Sequence, residues 1–263
     1  MNWVVASASQ RGSVHQRNGA PNQDAHHAEA SASDGVAIVA DGHGNQRYLR
    51  SEIGARLGVE TAADILPGCL GRITAELASP SGLDVDGLEE ALAQVVVTQW
   101  RSAVGGHLAA HPLDSMSQTD AMTTYGTTLL AVAANATHLL AFQIGDGELA
   151  LVSPDGTMTQ PFAPDPTHDG VHTHSLAEPD PVRAARVALI DLATHPVALA
   201  FVVTDGFGAP QVERDWVQQV GADLLGHLRS NGIDWVREKL PGWLTEPAEV
   251  GGDDTTLALL ARL

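Results

Sequence analysis

The sequence predicts an α+β fold, a layered sandwich in which sheets pack against helices. Two segments with helical spacing of apolar residues follow the first strands, a block of short apolar strands occupies the middle of the chain, and helical periodicity returns before a final strand. Short turns join several of the central strands, which favours antiparallel pairing.

Strands are predicted where short apolar runs are bounded by turn residues. The predicted strands are residues 3–9, 36–40, 127–133, 138–144, 149–153, 186–192, 198–204 and 256–263. Helices are predicted at residues 48–65, 83–108, 212–228 and 233–244. Residues 10–24 and 113–125 have the composition of loops, and the proline-rich segment 161–181 is predicted to form an exposed flap.

Composition limits the possible functions. The 263 residues suffice for one domain spanning positions 1–263, and the formal charge of −18 argues against a nucleic-acid partner because it repels polyanions. The sequence has neither a long apolar span nor a signal peptide, so we expect a cytoplasmic protein away from membranes. The single cysteine, Cys69, excludes an internal disulfide and is expected in the core.

Carboxylates stand at the ends of three buried strands. Asp41 and Asp205 each follow an apolar run, and Asp253 and Asp254 precede the last strand. Asp followed by Gly is ordinary turn chemistry, and four such pairs are interpreted as turns: those at Asp34, Asp86, Asp155 and Asp169. Asp41 and Asp205 differ in context, since strands from distant parts of a chain can bring their terminal carboxylates to one divalent cation site.

Six motifs occur in a characteristic order. They are PNQDA at 21–25, DGHG at 41–44, YGTT at 125–128, IGDGE at 144–148, VTDGF at 203–207 and GDDTTLALL at 252–260. In this order the chain resembles the metal-dependent protein phosphatases of type 2C, particularly their compact bacterial members, over nearly its whole length. The resemblance implies a four-layer α-β-β-α sandwich of two antiparallel sheets flanked by helices.

The resemblance also implies a reaction and a set of site residues. The reaction is hydrolysis of phosphoserine and phosphothreonine on proteins by a water that two Mn²⁺ or Mg²⁺ ions activate, with a third ion held more loosely. The implied metal ligands are Asp24, Asp41, the carbonyl of Gly42, Asp205, Asp253 and, for the third ion, Asp146. His43, two residues after Asp41, is suited to protonate the leaving oxygen as a general acid.

The sequence departs from the family pattern at several positions. Gly19 stands where an arginine usually binds the substrate phosphate, and Arg17 is the nearest arginine able to replace it. Gln23 replaces a common glutamate, Asp254 replaces an asparagine, and Gly147 replaces a serine.

Two alternatives stay open, and the departures at Gln23 and Gly19 bear only on the first of them. One is a catalytically weak or silent relative that binds a phosphorylated partner as a regulator, and the other is a phosphatase for a small phosphorylated metabolite. For the leading interpretation we expect a monomer acting on phosphorylated protein substrates, including targets of a serine/threonine kinase. A second cluster, with His168, Asp169, His172 and His174, admits either a zinc site or one face of a short strand.

Overall fold

The computed structural model describes residues 2–79, 87–113, 116–163, 173–213 and 215–262. The strands are β1 (Trp3–Gln10), β2 (Ala25–Ala30), β3 (Gly35–Ala40), β4 (Leu129–Ala134), β5 (His138–Ile144), β6 (Glu148–Val152), β7 (Met158–Thr159), β8 (Arg186–Asp191), β9 (Leu199–Val203) and β10 (Thr255–Arg262). The helices are α1 (Ser13–Asn18), α2 (Ser51–Leu77), α3 (Leu88–Ala110), α4 (Gln118–Thr123), α5 (Asp205–Gly208), α6 (Trp216–Asn231), α7 (Ile233–Trp243) and α8 (Thr245–Val250).

The strands form two antiparallel five-stranded sheets. The first sheet has the order β1-β10-β9-β6-β7, and the second has the order β2-β3-β4-β5-β8. Helices α2 and α3 pack on the outer face of the second sheet, and helices α6 and α7 pack on the outer face of the first. The four-layer α-β-β-α sandwich predicted from the sequence is therefore confirmed.

The central strands are apolar along their whole length because both faces of each sheet are buried. On β10, Leu257 and Leu259 contact the α6 and α7 layer, whereas Ala258 and Leu260 lie between the two sheets. Successive side chains of a strand point to opposite faces, so a strand in this position needs apolar residues at every step. This requirement explains why the sequence shows continuous apolar runs instead of alternation.

Some predicted elements differ from the observed ones. The predicted loop 10–24 contains the short helix α1, and the strand β2, of sequence AHHAEA, was missed. Helix α2 was predicted to end at residue 65, but it continues through Pro67 to Leu77 because Cys69, Leu70 and Ile73 continue its buried face. Of the predicted flap, residues 164–172 lie outside the described residues, and the prediction of exposure is wrong for Ser175 and Leu176, which are buried because Leu176 packs in the core.

Helices α4 and α8 were also missed. Helix α4 lies in the polar segment 113–125 and begins after Ser117, whose side chain accepts a hydrogen bond from the Asp120 amide. Cys69 is buried, as predicted. Within the described residues, no helix combines the length and the apolar character that crossing a bilayer requires.

Candidate metal centre

Strand register brings the predicted acidic ligands to one end of the sandwich. Strands β2 and β3 pair with Ala25 opposite Ala40, so Asp24, which precedes Ala25, and Asp41, which follows Ala40, lie side by side. Strands β9 and β10 pair with Val203 opposite Leu257, which places Asp205 near the residues that precede β10. Antiparallel pairing therefore makes acids from distant parts of the chain neighbours.

Asp24 connects the two sheets at this end. Its Oδ2 accepts hydrogen bonds from the hydroxyls of Thr204 and Thr256, at 2.8 Å and 2.6 Å; Thr256 lies in β10 and Thr204 directly follows β9, both strands of the first sheet. Its other oxygen, Oδ1, is buried without a hydrogen-bond partner. Asp24 is thus held in one orientation with one oxygen unengaged.

The four clustered carboxyls titrate as a mutually repelling group. Burial raises the pKa of Asp41 well above its usual value, and the charges of Asp24, Asp205 and Asp253 raise it further. Burial likewise raises the pKa of Asp24 well above its usual value, although the Thr256 and Thr204 hydrogen bonds oppose the rise. The pKa values of Asp205 and Asp253 are also raised, first by burial. Asp146 joins the group, since its charge acts on both Asp205 and Asp253.

His43 lies at the edge of the acidic group. Its ring contacts Tyr48, with the ring centroids 4.8 Å apart, and its Nε2 is buried without a hydrogen-bond partner. Burial lowers the pKa of His43 to about 4, the charge of Asp146 opposes this shift, and Arg47 adds to it. At neutral pH the imidazole is therefore uncharged in the metal-free protein, with one nitrogen available to a ligand.

The DGHG turn is held by close backbone packing. A Cβ at Gly42 would lie 2.6 Å from the Gln23 carbonyl oxygen, so only glycine fits, and the Gly42 amide donates to that same oxygen at 3.1 Å. The Asp41 carbonyl accepts from the Thr128 amide and from the Thr127 hydroxyl, both at 2.8 Å. These bonds fix the backbone on both sides of the Asp41 side chain.

The structure gives Asp254 and Gln23 supporting contacts. Asp254 accepts hydrogen bonds from the amides of Gly12 and Gln23, at 2.8 Å and 2.6 Å, and lies 2.9 Å from His15 Nδ1. Gln23 donates its side-chain amide to Ser51 at 2.7 Å. Asp254 therefore ties α1 and the segment before Asp24 to the loop that contains Asp253.

The closest grouping of possible ligand atoms in the described residues is His15, Asp253 and Asp254, within 4.8 Å of one another. Both oxygens of Asp254 already accept backbone hydrogen bonds. This group therefore stabilises the neighbouring loops, and the Asp254 oxygens are not free to bind a metal. Asp24 Oδ1 and Asp205 Oδ1, in contrast, are buried and unpartnered. Unpartnered carboxylate oxygens among repelling acids suit hard cations such as Mg²⁺ and Mn²⁺.

Arg17 lies in the last turn of α1, where its guanidinium donates to Ser13 at 3.2 Å. It is exposed, and it belongs to the same helix as His15, whose ring reaches Asp254. Its role in binding phosphate stays a prediction. The zinc interpretation of the histidine-rich segment concerns His168, Asp169 and His172, which lie outside the described residues, and His174, which contacts Glu178.

Sequence reasoning missed four supporting residues: His15, Ser51, Thr204 and Thr256. Thr204 directly precedes Asp205, and Thr256 lies in the DDTT segment, so their positions beside acidic motifs were a usable signal. His15 and Ser51 gave none, because their partners are distant in sequence.

Comparisons with known proteins agree with this architecture. The serine/threonine phosphatase PstP/Ppp of Mycobacterium tuberculosis is 20% identical, with 99% of each chain covered and a TM-score of 0.62. Stp1 of Staphylococcus aureus is 12% identical, covering 98% of this chain and 94% of its own, also with a TM-score of 0.62. The catalytic domain of PstP in complex with two manganese ions is 21% identical, with coverage of 99% and 98% and a TM-score of 0.54.

At these identities the solved structures show a shared fold. No protein with curated annotation matches the sequence. The family model described as Protein phosphatase 2C matches residues 11–245, which include five of the six acidic and small-residue motifs. On this match, the chain belongs to the protein phosphatase 2C family.

Proposed function

We propose that this protein hydrolyses phosphoserine and phosphothreonine on other proteins, with two divalent cations, Mn²⁺ or Mg²⁺, at the acidic cluster. Membership of the protein phosphatase 2C family makes it a metal-dependent serine/threonine protein phosphatase. The observation that best supports the assignment is the convergence of Asp24, Asp41, Asp205 and Asp253 at one end of the sandwich. The two manganese ions of the PstP catalytic domain give a precedent for this fold.

Each residue of the cluster has a proposed task. Asp41, Asp205, Asp253 and the Gly42 carbonyl would hold the two cations, with Asp24 beside them and Asp146 available to a third. When bound, such cations acidify water and neutralise the charge of a phosphate group.

The proton and phosphate contacts are assigned to two further residues. The negative charge of a bound phosphate group would raise the pKa of the nearby His43, so that the ring would be protonated in the substrate complex. His43 would then donate this proton to the serine or threonine oxygen as the ester bond breaks, which is worth roughly 10²- to 10⁴-fold in rate. Arg17 would bind the phosphate oxygens, because a guanidinium offers paired N–H donors.

The direct test is Mn²⁺-dependent release of phosphate from a phosphothreonine peptide. Asp41→Asn and Asp205→Asn should each lower kcat/KM by at least about 100-fold, because each removes a charge that holds a cation. Asp34→Asn is the matched control, since Asp34 lies in an exposed turn with hydrogen bonds only to Ser31 and Ser33 among the described residues. Activity that persists in EDTA, or in both site variants, would reject the proposal.

A silent regulator is disfavoured because the acids that would bind metal are all present in the cluster. A phosphatase for small metabolites is distinguished from a protein phosphatase by comparing kcat/KM for a phosphothreonine peptide with kcat/KM for a panel of phosphorylated metabolites. A clear preference for the peptide supports the proposal, and a preference for a metabolite contradicts it.

We also propose that the protein acts in the cytoplasm as a monomer of one domain, on targets of a serine/threonine kinase. Pairing of β1 with β10, which joins the first and last strands, supports the single domain. Light scattering should give the mass of one chain, 27.5 kDa, and calorimetry should give one unfolding transition.

A further inference from the structure

A cavity of about 610 Å³ lies at the end of the sandwich away from the acidic cluster. The residues that line it include Leu192, Val197, Ala198, Leu228, Arg229 and Arg262. Its volume falls within the range of roughly 300 to 1,000 Å³ that is typical of small-molecule sites.

The strands separate this cavity from the metal centre. Arg262 ends β10, whereas Thr255, at the other end of the same strand, follows the acidic pair. Ala198 likewise precedes β9, whose other end leads to Asp205. At about 3.3 Å per residue, β10 places the two regions roughly 20 Å apart. A ligand in the cavity would therefore leave the metal centre free.

The floor and walls of the cavity are apolar. Leu192, Val197 and Ala198 are each 6–8% exposed, and Leu225 and Leu228 continue the apolar wall from α6. Such a surface gains free energy by covering the apolar part of a ligand.

The charges at the cavity are both positive. Arg262 has a buried Nε with no hydrogen-bond partner, while its Nη1 donates to the Ala136 carbonyl at 3.3 Å and its guanidinium lies 5.6 Å from the Trp3 ring centroid. Arg229 donates to the Pro154 carbonyl. Among the described residues, no carboxylate lies within ion-pair distance of either arginine, in a chain with 32 acidic and 14 basic residues.

We propose that this cavity binds a small organic anion, in which a carboxylate or phosphate group is attached to an apolar body. The anionic group would accept hydrogen bonds from the guanidinium groups of Arg229 and Arg262, and the apolar body would lie against Val197, Ala198 and Leu228. Charge-assisted hydrogen bonds to a guanidinium are strong, so two arginines without a carboxylate partner favour an anionic ligand.

The test uses octanoate, with octanol as the uncharged probe of the same length, in Mg²⁺-loaded, ¹⁵N-labelled wild-type protein. Octanoate should shift the amide signals of Val197 and Ala198 and leave those of Gly42 and Asp205 unchanged. Octanol should bind at least about 10-fold more weakly, since it lacks the charge that the two arginines attract. Equal affinity for the two probes, or shifts confined to Gly42 and Asp205, would overturn the proposal.

Two variants locate the interaction by mutation. Arg229→Met keeps an apolar stem and removes the charge, and it should raise the octanoate Kd by about 10-fold while leaving the octanol Kd unchanged. The matched control is Arg183→Gln, which removes an exposed arginine outside the cavity that pairs with Asp180. If Arg183→Gln weakens octanoate binding as much as Arg229→Met, attraction by overall charge explains the binding, and the cavity proposal is wrong.

Discussion

Thr256 donates a 2.6 Å hydrogen bond to Asp24, although 232 positions separate the two residues. The bond joins β10, in the first sheet, to the residue that precedes β2, in the second sheet. Thr204 donates to the same oxygen at 2.8 Å. The acidic cluster is therefore built across the two sheets, and its geometry depends on how the sheets pack.

Thr256→Val should weaken activation by Mn²⁺ and should have a smaller effect on the free energy of unfolding. The substitution keeps the shape of the side chain and removes one of the two hydroxyl donors that orient Asp24. Outer hydrogen bonds of this kind typically affect metal affinity by roughly 10- to 100-fold. We expect the Mn²⁺ concentration for half-maximal activity to rise by about 10-fold, with kcat at saturating metal nearly unchanged.

Thr194→Val is the control for this substitution. Among the residues that the structure describes, its hydroxyl contacts only the Asp191 carbonyl and His195, in an exposed turn. An equal change in metal activation for Thr194→Val, or no change for Thr256→Val, would show that the hydroxyl does not position Asp24 for a cation.

Eight of the ten strands in the described residues were predictable from the sequence to within two residues, because the central strands of both sheets are buried on both faces, whereas β2 and β7 were missed. Strand β5 occupies residues 138–144, as predicted, and β3 differs from its prediction by one residue. Continuous apolar runs bounded by turn residues are enough to locate such strands. Asp41, Asp205 and the pair Asp253 and Asp254 were selected as candidate ligands for the same reason, since each bounds an apolar run, whereas Asp24 and Asp146 were implied only by the resemblance.

Elements stabilised by few apolar contacts were missed. Strand β2 is an edge strand that contains two histidines and a glutamate and has no fully buried residue, so it shows no apolar run. Helix α1 also buries no residue and is fixed by polar contacts such as the pair between His15 and Asp254. Partners that are distant in sequence supply these contacts, and one sequence alone does not reveal them.

Metal should stabilise the protein more at about pH 7.5 than at about pH 5. The folded pKa of Asp41 is raised above the ordinary value of 3.8, so the metal-free folded state binds more protons than the unfolded chain in the interval between the two values. The free energy of unfolding of the metal-free protein therefore falls as pH rises through that interval. A bound cation offsets the repulsion that appears when the carboxyls ionise.

The measurement is the difference in Tm between Mn²⁺-loaded and EDTA-treated protein at the two pH values. In Asp41→Asn, which removes one titrating group, the metal-free protein should lose less stability with rising pH than the wild type does. A metal-induced rise in Tm that is the same at both pH values would contradict coupling between proton release and cation binding.

Arg17→Ala should lower kcat/KM for p-nitrophenyl phosphate by about 10-fold, the order expected for loss of a charged hydrogen bond. The change should appear mainly in KM, and the Mn²⁺ dependence should stay the same because Arg17 is not among the proposed ligands. Arg11→Ala is the matched control, since Arg11 is also exposed before Asp24 and donates to the Ala20 carbonyl. If Arg11→Ala raises KM and Arg17→Ala does not, Arg17 was assigned wrongly.

His43→Asn should lower kcat most for substrates whose leaving oxygen is strongly basic and therefore needs a proton. A phosphothreonine peptide releases a strongly basic alkoxide, whereas p-nitrophenyl phosphate releases a stable phenolate. We therefore expect a loss of roughly 10²-fold or more in kcat for the peptide and a much smaller loss for p-nitrophenyl phosphate. His43 is suited to this test because its Nε2 is buried and unpartnered beside the acidic cluster.

His138→Asn is the control, since the His138 ring forms a hydrogen bond with Thr137 on an exposed turn. Equal losses on both substrates would assign His43 to shaping the turn that contains Asp41 instead of to proton donation.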